Sequence, residues 1–422
     1  MRVFKSDKKE YDAVSEYLPQ EGWLGDYLHF SDDLEACPRF RFFSACCVLG
    51  AVVNNKVWIH KGDPTLLPRT FPNPWVMLLA PPGRGHKTST INMACNCLTQ
   101  ACSEVRILAD KLTPESLVQT LSMPQHPKEI IRIGPRDATG LIKAPELSVF
   151  FGKQQYNTGL VSLVTDLYDY RETWSADTIG RGKNVLKNNC ITVFGGSTPT
   201  WLQQMLPQDA FTGGFMRRFI IVEMPVGYYK RRAFPKKLSD TGWKELVRGM
   251  AKFREVKGMI TWHNQATQIY EKYYEEYAPT GDLQLDSYRE GEIEQILKLS
   301  ILLTLNAKRM EIHAEDLTYA KKILEVLREE TDPRIERLTT HPRMHLTQEI
   351  QDLLKMYGEL SEKELLKKVY RFLSLGERQF YETLSILRRA GVIEPIGKPG
   401  NYSFKLIEKA KDDKLGKGVN KL

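Results

Sequence analysis

The segment from Trp75 to Leu98, WVMLLAPPGRGHKTSTINMACNCL, constrains the fold more than any other part of the sequence. Its apolar start predicts a buried strand, and Gly83 and Gly85 permit a tight turn before a helix that begins near Thr88. A helix placed after such a turn points its free N–H groups and the positive end of its dipole at the loop. The segment therefore predicts a mostly parallel α/β sheet with a phosphate-binding loop at one strand end.

The loop departs from the pattern Gly-x-x-x-x-Gly-Lys-[Ser/Thr], because His86 stands where the last glycine is expected. The simplest interpretation is a one-residue insertion that keeps Gly85 close to the lysine. Lys87 can then reach the β- and γ-phosphates of ATP, and Thr88 can bind Mg²⁺. A coincidental glycine turn before a helix is the alternative. The predicted nucleotide-binding residues are Pro82, Gly83, Arg84, Gly85, His86, Lys87, Thr88 and Ser89.

Length and composition set broad limits on the class of protein. The 422 residues, 42% of them hydrophobic, can form two to four domains with substantial cores. No apolar run approaches the length of a membrane span, and no secretion signal is recognisable, so we expect a cytoplasmic protein. The net charge of +8 is compatible with nucleic-acid binding. The 7 cysteines lack Cys-x-x-Cys spacing and are expected to be buried thiols rather than zinc ligands.

The periodicity of apolar residues and the placement of proline and glycine divide the chain into six parts. The α/β core is expected to be a P-loop NTPase, and the last ordered part has the order of a winged helix-turn-helix. The predicted parts are a mainly helical N-terminal segment (1–70), a P-loop ATPase core (71–240), a helical lid (241–332), a linker (333–345), a winged helix (346–408) and a basic disordered tail (409–422).

The run GLIKAPELSVFF is predicted to be a second core strand that ends in an acidic residue, Glu146. Such a carboxylate beside a phosphate-binding loop usually polarises the attacking water. Pro145 stands where an aspartate normally helps to hold magnesium, so Asp166, Asp169 or water are the alternative ligands. Taken alone, Glu146 has the simpler interpretation of a solvated strand end.

Two further strands carry candidate catalytic residues. CITVFGGSTPTWL predicts a third core strand, and Ser197 or Thr198 would lie at its carboxyl end, where ligands bind in open α/β sheets. GGFMRRFIIVEM places Arg217 and Arg218 immediately before a fourth strand. A plain loop start and a solvated strand entry are the respective alternatives.

Basic residues outside the sheet are candidates for DNA contact. ETWSADTIGRGKNVLKNN predicts a hairpin with Arg181 and Lys183 at its tip, which suits a phosphate backbone, although a solvated turn is the commoner explanation. Near the C-terminus, three helices precede two strands joined by a Gly-Lys-Pro-Gly-Asn turn. In a winged helix the third helix and the wing contact DNA. The predicted contacts there are Arg378, Gln379, Arg388, Arg389 and Lys398.

These segments together resemble a known but uncharacterised P-loop family of phages, plasmids and integrated elements, often encoded beside primase genes. The resemblance covers roughly residues 15 to 330 and rests on YLPQEGWLGDYLHF, APPGRGHKTS, APELSVFFGKQQYNTGLVSLVTDLYDYRETW, GGSTPTWL and GGFMRRFIIVEM. The order of parts is also similar to the AAA+ module of minichromosome maintenance (MCM) replicative helicases. That resemblance implies a homo-hexameric ring around DNA, arginine fingers at Arg217 or Arg218 and a sensor-2 residue at Arg289.

The sequence therefore predicts an ATP- and Mg²⁺-dependent DNA-translocating ATPase, most plausibly the replicative helicase of a mobile element, with a primase or other replication protein as partner. Two alternatives stay open. One is an initiator or regulator that binds DNA under control of ATP and hydrolyses it slowly. The other is an assembly platform with a degenerate loop.

Overall fold

The structure, a computed structural model, describes residues 11–108, 111–122, 137–151, 159–178, 182–205, 214–234, 240–339, 342–370, 377–398 and 401–407. The chain divides into two compact units, of which the first ends at Ile335 and the second begins at Glu336.

The first unit contains twelve described helices and eleven described strands. In chain order they are α1 (Gly22–Phe30), α2 (Pro38–Val53), β1 (Val57–Trp58), β2 (Trp75–Leu79), α3 (Lys87–Ala101), β3 (Ile107–Leu108), α4 (Pro114–Ser122), β4 (Thr139–Ala144), α5 (Leu147–Phe151), α6 (Leu160–Asp166), β5 (Thr173–Thr178), β6 (Gly182–Lys187), β7 (Cys190–Ser197), α7 (Pro199–Met205), β8 (Phe219–Glu223), α8 (Asp240–Ala251), β9 (Gly258–Met259), β10 (Thr261–Trp262), α9 (Asn264–Glu275), α10 (Leu283–Arg289), α11 (Glu292–Asn306), β11 (Glu311–Ile312) and α12 (Ala314–Thr339).

A five-stranded parallel sheet forms the centre of this unit, in the order β3-β4-β7-β2-β8. The chain leaves β2 towards β3 on one side, and later crosses from β7 past β2 to β8 on the other side. The strand order therefore changes direction at β2. Ligands of open α/β sheets bind outside the carboxyl ends of the strands at such a point. The predicted α/β class with a mostly parallel sheet is confirmed.

Two helices that are apolar on all sides pack in the core of this unit. In α2 every residue from Arg39 to Val53 is buried, and in α11 every residue from Gln295 to Asn306 is buried. Both contribute to the same hydrophobic cluster as Val76 of β2. A helix that is buried in this way belongs to a core, and α11 buries the polar side chains of Gln295 and Lys298 there as well.

Aromatic rings pack on the opposite face of the sheet, near the amino ends of β2 and β8. The ring centroids of Trp75 and Phe219 are 5.2 Å apart, and those of Phe215 and Phe219 are 5.0 Å apart. Tyr168 meets Trp75 at 4.9 Å. Edge-on and tilted ring pairs at these distances are favourable beyond the area that they bury. The amino edge of the sheet is thus closed by packing, whereas its carboxyl edge carries the glycine-rich loop.

The structure differs from the expected extent of the second core strand. Strand β4 ends at Ala144, and the remainder of the apolar run forms helix α5 from Leu147 to Phe151. Pro145 lies between them, and proline has no N–H with which to continue a strand ladder. Glu146 therefore precedes a helix and does not end a strand.

The second unit contains three helices and a three-stranded antiparallel sheet in the order β12-β14-β13. The predicted helices and the terminal hairpin are present, and β12 is an additional strand that the sequence did not indicate. Residues 333–345, expected to be a linker, include the end of α12 and the start of the next helix. The elements are α13 (Pro342–Tyr357), β12 (Glu359–Ser361), α14 (Glu362–Val369), α15 (Glu377–Arg389), β13 (Ile393–Lys398) and β14 (Asn401–Leu406).

All seven cysteines are free and buried, as expected. Burial raises the pKa of Cys97 to about 12, so this thiol stays protonated at neutral pH. None of the helices in the described ranges combines the length and apolar character needed to cross a membrane.

Candidate functional site at the carboxyl edge of the sheet

The glycine-rich loop begins after β2 and ends at the first residue of α3. Gly83 and Gly85 have positive φ angles of 68° and 76°, which glycine adopts without strain. A Cβ atom at Gly83 would meet nothing within 4 Å, whereas one at Gly85 would lie 2.7 Å from Cβ of Ala80. The loop is therefore packed against the protein at Gly85 and open at Gly83.

His86 adopts a backbone conformation that favours glycine. Its φ of 49° and ψ of 35° are left-handed, a region that glycine populates far more readily than other residues. The interpretation of His86 as a one-residue insertion stays a prediction. The His86 Nε2 lies 2.6 Å from Oε2 of Glu35. Nothing in the sequence links Glu35 to the loop, because the two residues are far apart in the chain.

Lys87 is buried at the start of α3 and is directed at the loop. Only 6% of its surface is exposed, and Nζ donates a hydrogen bond of 3.0 Å to the carbonyl oxygen of Ala80. Burial lowers the pKa of Lys87, and the negative charge of Glu146 offsets part of this effect. The next residues, Thr88 and Ser89, are exposed. Because the helix starts here, the N–H groups of its first turn lack helical acceptors and face the same opening.

Two glycines of β7 allow the parts of the site to approach one another. A Cβ atom at Gly196 would lie 2.6 Å from the carbonyl oxygen of Pro145 and 3.5 Å from Cβ and Cδ of Lys87. One at Gly195 would lie 2.8 Å from Leu147. A side chain at Gly196 would push the end of β4 away from β7, and one at Gly195 would displace Leu147, whereas Lys87 lies at an ordinary contact distance from Gly196. The pair Gly-Gly before Ser197 is a signal that the sequence analysis did not use.

The hydroxyl groups after β7 differ in their environment. Ser197 pairs with Leu79 of β2 across the sheet and is 2% exposed. Thr198 Oγ1 accepts a 3.2 Å hydrogen bond from the backbone N–H of Trp201 at the start of α7. Thr198 therefore caps a helix, whereas the Ser197 hydroxyl is buried and donates a 3.5 Å hydrogen bond to the carbonyl oxygen of Thr198. The Glu146 side chain is exposed near the same edge.

Arg217 and Arg218 lie at the opposite edge of the sheet. They form the 3₁₀ turn before β8, whose first residue pairs with Trp75 at the start of β2. Five-residue strands separate this turn from the glycine-rich loop by about 15 Å. Arg218 is held by hydrogen bonds of 2.7 Å to the carbonyl of Gly214 and 2.9 Å to Asp169, whereas Arg217 is exposed. Neither guanidinium reaches the loop of its own chain.

Arg289 ends α10 and is bound to α12. Its Nε donates a 3.1 Å hydrogen bond to Oδ2 of Asp332, and Nη2 donates to the same oxygen. Gly291, two residues later, leaves no room for a Cβ atom against the carbonyl oxygen of Arg217. Arg289 is therefore on an element that packs beside the turn carrying Arg217, away from the glycine-rich loop.

The two aspartates named as substitute magnesium ligands do not lie at the loop. Asp169 pairs with Arg218 at the amino edge of the sheet. Asp166 accepts hydrogen bonds from Arg171 and from Nε1 of Trp174. The expectation that either aspartate contacts a metal at Thr88 is therefore wrong. Within the described ranges no group of His, Cys, Asp or Glu side chains could hold a metal ion by itself.

The predicted hairpin is present, with Thr178 of β5 paired to Gly182 of β6. Arg181 lies outside the described residues. Lys183 is on β6 and Lys398 is at the end of β13, and the structure describes only the backbone at these two positions.

Helix α15 presents an exposed basic face in the second unit. Arg378, Arg388 and Arg389 are exposed, and Tyr381, which the sequence analysis missed, is 47% exposed. Gln379 is only 2% exposed because it faces the core of the unit. The prediction that Gln379 contacts DNA is therefore wrong.

The first unit also contains a cleft away from the glycine-rich loop. A cavity of about 680 Å³ among α9, α11 and α12 is lined by Tyr273, Tyr274, Tyr277 and several glutamates and basic residues. Its lining has four acidic and three basic side chains, and it contains none of the loop residues. A phosphate bound by backbone N–H groups needs an open loop and not an enclosed cavity, so the size of this cleft does not argue against the glycine-rich loop.

Comparison with protein-family models and with curated proteins finds no match to this chain.

Proposed function

We propose that this chain is a P-loop ATPase of AAA+ type that forms a ring and moves along DNA, most plausibly as the replicative helicase of a mobile genetic element. The observation that carries the proposal is the convergence of Lys87, Glu146 and Ser197 at the carboxyl edge of the sheet, where the strand order changes direction. Each is in the part of the fold where its proposed role requires it.

The residues of the loop suit the triphosphate of ATP. Gly83 leaves open space, the first turn of α3 supplies N–H groups, and the Lys87 ammonium provides a positive charge. Thr88 would hold Mg²⁺ together with phosphate oxygens and water, as in other phosphate-binding loops. Bound magnesium would supply charge neutralisation on the phosphates. In this proposal Glu146 orients and activates the attacking water, and Ser197 or Thr198 positions it.

The arginines at the amino edge support a site shared between subunits. Arg217 is exposed about 15 Å from its own loop, a distance that a side chain cannot cover. A ring built from head-to-tail contacts would bring this edge to the loop of a neighbour. Arg217 would then stabilise charge on the γ-phosphate, with Arg218 and Arg289 supporting it from the same side. The resemblance to MCM helicases implies six subunits.

Two further parts support DNA as the partner. The second unit has the helix order and terminal hairpin of a winged helix-turn-helix, and the exposed arginines of α15 would contact phosphates or bases. The β5–β6 hairpin would carry Arg181 and Lys183 to one strand of DNA, and hydrolysis would move it. A primase is the partner protein that the resemblance implies.

Measuring ATP hydrolysis with and without single-stranded DNA tests the proposal. We expect turnover that DNA stimulates, and we expect Lys87→Ala to abolish it because the triphosphate loses its buried cation. Exposed Lys272→Ala, on α9, is the matched control and should leave turnover unchanged. Full activity of Lys87→Ala would refute the assignment of the site. Failure of ATP to stabilise the fold would favour an assembly platform with a degenerate loop.

A second candidate is a DNA-binding initiator or regulator that ATP switches and that hydrolyses ATP slowly. The replacement of glycine by His86 and the exposed basic face of α15 favour it. It predicts tight binding to one duplex sequence and turnover that single strands do not stimulate. Binding assays with random and selected duplexes, beside the hydrolysis assay, distinguish the two.

A further inference from the structure

We propose that Glu35 is a positioning residue of the nucleotide loop, which fixes His86 so that a residue other than glycine can end the loop. This inference rests on the proposed function, since it assigns Glu35 to the same ATP site. It also explains how the loop keeps its conformation despite its departure from the usual motif.

The first step is the strain at His86. A residue with a Cβ atom is less stable in the left-handed region than in the usual conformations. His86 lies there with φ 49°, and its carbonyl accepts hydrogen bonds from the N–H of Thr90 at 3.0 Å and from its Oγ1 at 2.9 Å. These two bonds tie the backbone of His86 to the first turn of α3. Any rotation at His86 therefore moves Lys87, the next residue.

The second step is the contact that opposes this strain. Nε2 of His86 is 2.6 Å from Oε2 of Glu35, and the Glu35 side chain is only 13% exposed. A charged hydrogen bond at this distance is among the stronger polar contacts that proteins form. The contact with Glu35 thereby restrains the imidazole of His86.

The third step is that Glu35 is itself fixed. Its other oxygen, Oε1, accepts a 2.7 Å hydrogen bond from the backbone N–H of Arg232. This bond lowers the pKa of Glu35, and His86 lowers it further, so the carboxylate is charged at neutral pH. Near it, Nε of Arg232 lies 3.6 Å from Asp33 and Lys230 donates to the carbonyl of Asp32. The segment that follows β8 thus anchors Glu35.

A double-mutant cycle between Glu35→Gln and His86→Gly tests the inference. Glycine needs no support in the left-handed region, so Glu35 should matter only while His86 is present. We expect Glu35→Gln to weaken binding of Mg·ATP by about tenfold. An effect of this size is usual for two residues in direct contact, as Glu35 and His86 are. The Michaelis constant for ATP should rise accordingly, with a smaller change in kcat. In the His86→Gly background, Glu35→Gln should change neither the binding of Mg·ATP nor the Michaelis constant for ATP. Exposed Glu315→Gln, which pairs with Arg309 far from the loop, is the control.

A second readout keeps the test independent of ATP. The same cycle measured by urea unfolding should show that Glu35→Gln shifts the folding equilibrium when His86 is present and leaves it unchanged in the His86→Gly background. Equal effects of Glu35→Gln in both backgrounds, on binding or on unfolding, would overturn the inference. If the wild-type protein bound no Mg·ATP, the proposed function and the nucleotide part of this inference would both fail. The unfolding cycle would still decide whether Glu35 holds His86.

Discussion

At the scale of single residues, the site depends on the absence of side chains as much as on their presence. Gly196 lies where the end of β4, strand β7 and Lys87 meet, and its hydrogen atom is the only group that fits there. Gly85 has the same function inside the loop, against Ala80. Catalytic groups must be held to within a fraction of an ångström to act together. A single added methyl group therefore has consequences for both stability and turnover.

We expect Gly196→Ala to lower the free energy of unfolding by about 1–3 kcal/mol, the usual cost of overpacking a filled interior. ATP turnover should fall about tenfold or more, because the end of β4 at Pro145, next to Glu146, must move away from β7. Gly159→Ala is the matched control, since its Cβ atom would lie 3.8 Å from Pro114 at an ordinary φ angle. Chemical denaturation and a hydrolysis assay measure both effects. Equal behaviour of the two variants would show that Gly196 does not shape the site.

The sequence predicted the buried strand, the glycine turn and the helix after it, because these three elements are contiguous in the chain. It did not predict Glu35, whose contact with His86 depends on the folding of distant segments. It also misplaced Asp166 and Asp169, since proximity in sequence to the second core strand does not decide on which edge of a sheet a side chain lies. Gln379 was misjudged because helical position alone does not reveal which face packs on a core.

At the scale of elements, local signals determined some helix ends and failed at others. Helix α14 begins with a capping box, in which Ser361 accepts from the N–H of Glu364 and the Glu364 side chain accepts from the N–H of Ser361. This pattern is readable in the sequence SEKE. Helix α5 was predicted to be strand because the residues on both sides of Pro145 are apolar. Short apolar runs do not distinguish a strand from a buried helix.

We expect Ser361→Ala to destabilise α14 by about 1 kcal/mol, since the helix loses its N-cap. Hydrogen bonds from the Ser361 side chain and backbone lower the pKa of Glu364 from 4.5. A carboxyl group with a lowered pKa in the folded state contributes stability above its unfolded pKa, and this is lost as the pH falls through the folded value. The capping box should therefore be intact above pH 4.5 and weaken in acid.

Amide hydrogen exchange over residues 362–369, at neutral pH and in acid, measures this effect. In the wild-type protein the amides of α14 should lose protection against exchange in acid. In Ser361→Ala they should have low protection both at neutral pH and in acid. Ser385→Ala, at an exposed position inside α15, removes no cap and should leave exchange in α14 unaltered. Unchanged protection of α14 in Ser361→Ala would contradict the assigned role of the cap.

At the scale of the whole molecule, the two edges of the sheet divide the proposed site. The carboxyl edge carries Lys87 and Glu146, and the amino edge carries Arg217. The parallel arrangement was predictable from alternating apolar runs and helical patterns. The joint core of the N-terminal helices, sheet and α11 was not, because hydrophobicity alone does not specify which apolar faces meet.

Mixing two inactive variants tests whether neighbouring chains share the site. Lys87→Ala lacks the loop cation, and Arg217→Ala lacks the arginine that would reach a neighbour. If sites form between chains, an equal mixture should recover activity at about a quarter of the sites, since those pair an intact loop with an intact arginine. Hydrolysis before and after mixing measures the recovery. A mixture as inactive as its components would contradict a shared site, and wild-type protein diluted with Lys87→Ala is the control for subunit exchange.

The buried position of Arg39 has a consequence for how the chain is made. Arg39 binds Asp12 and Glu330, and α2, on which it lies, packs against α11. Asp12 and the neighbouring helices α1 and α3 are synthesised with or soon after α2, but Glu330 and α11 leave the ribosome only when almost all of the first unit has been made. Until then the face of α2 that α11 covers is exposed to solvent and to other nascent chains. Such segments aggregate unless they are shielded, so we expect this protein to require a chaperone during translation.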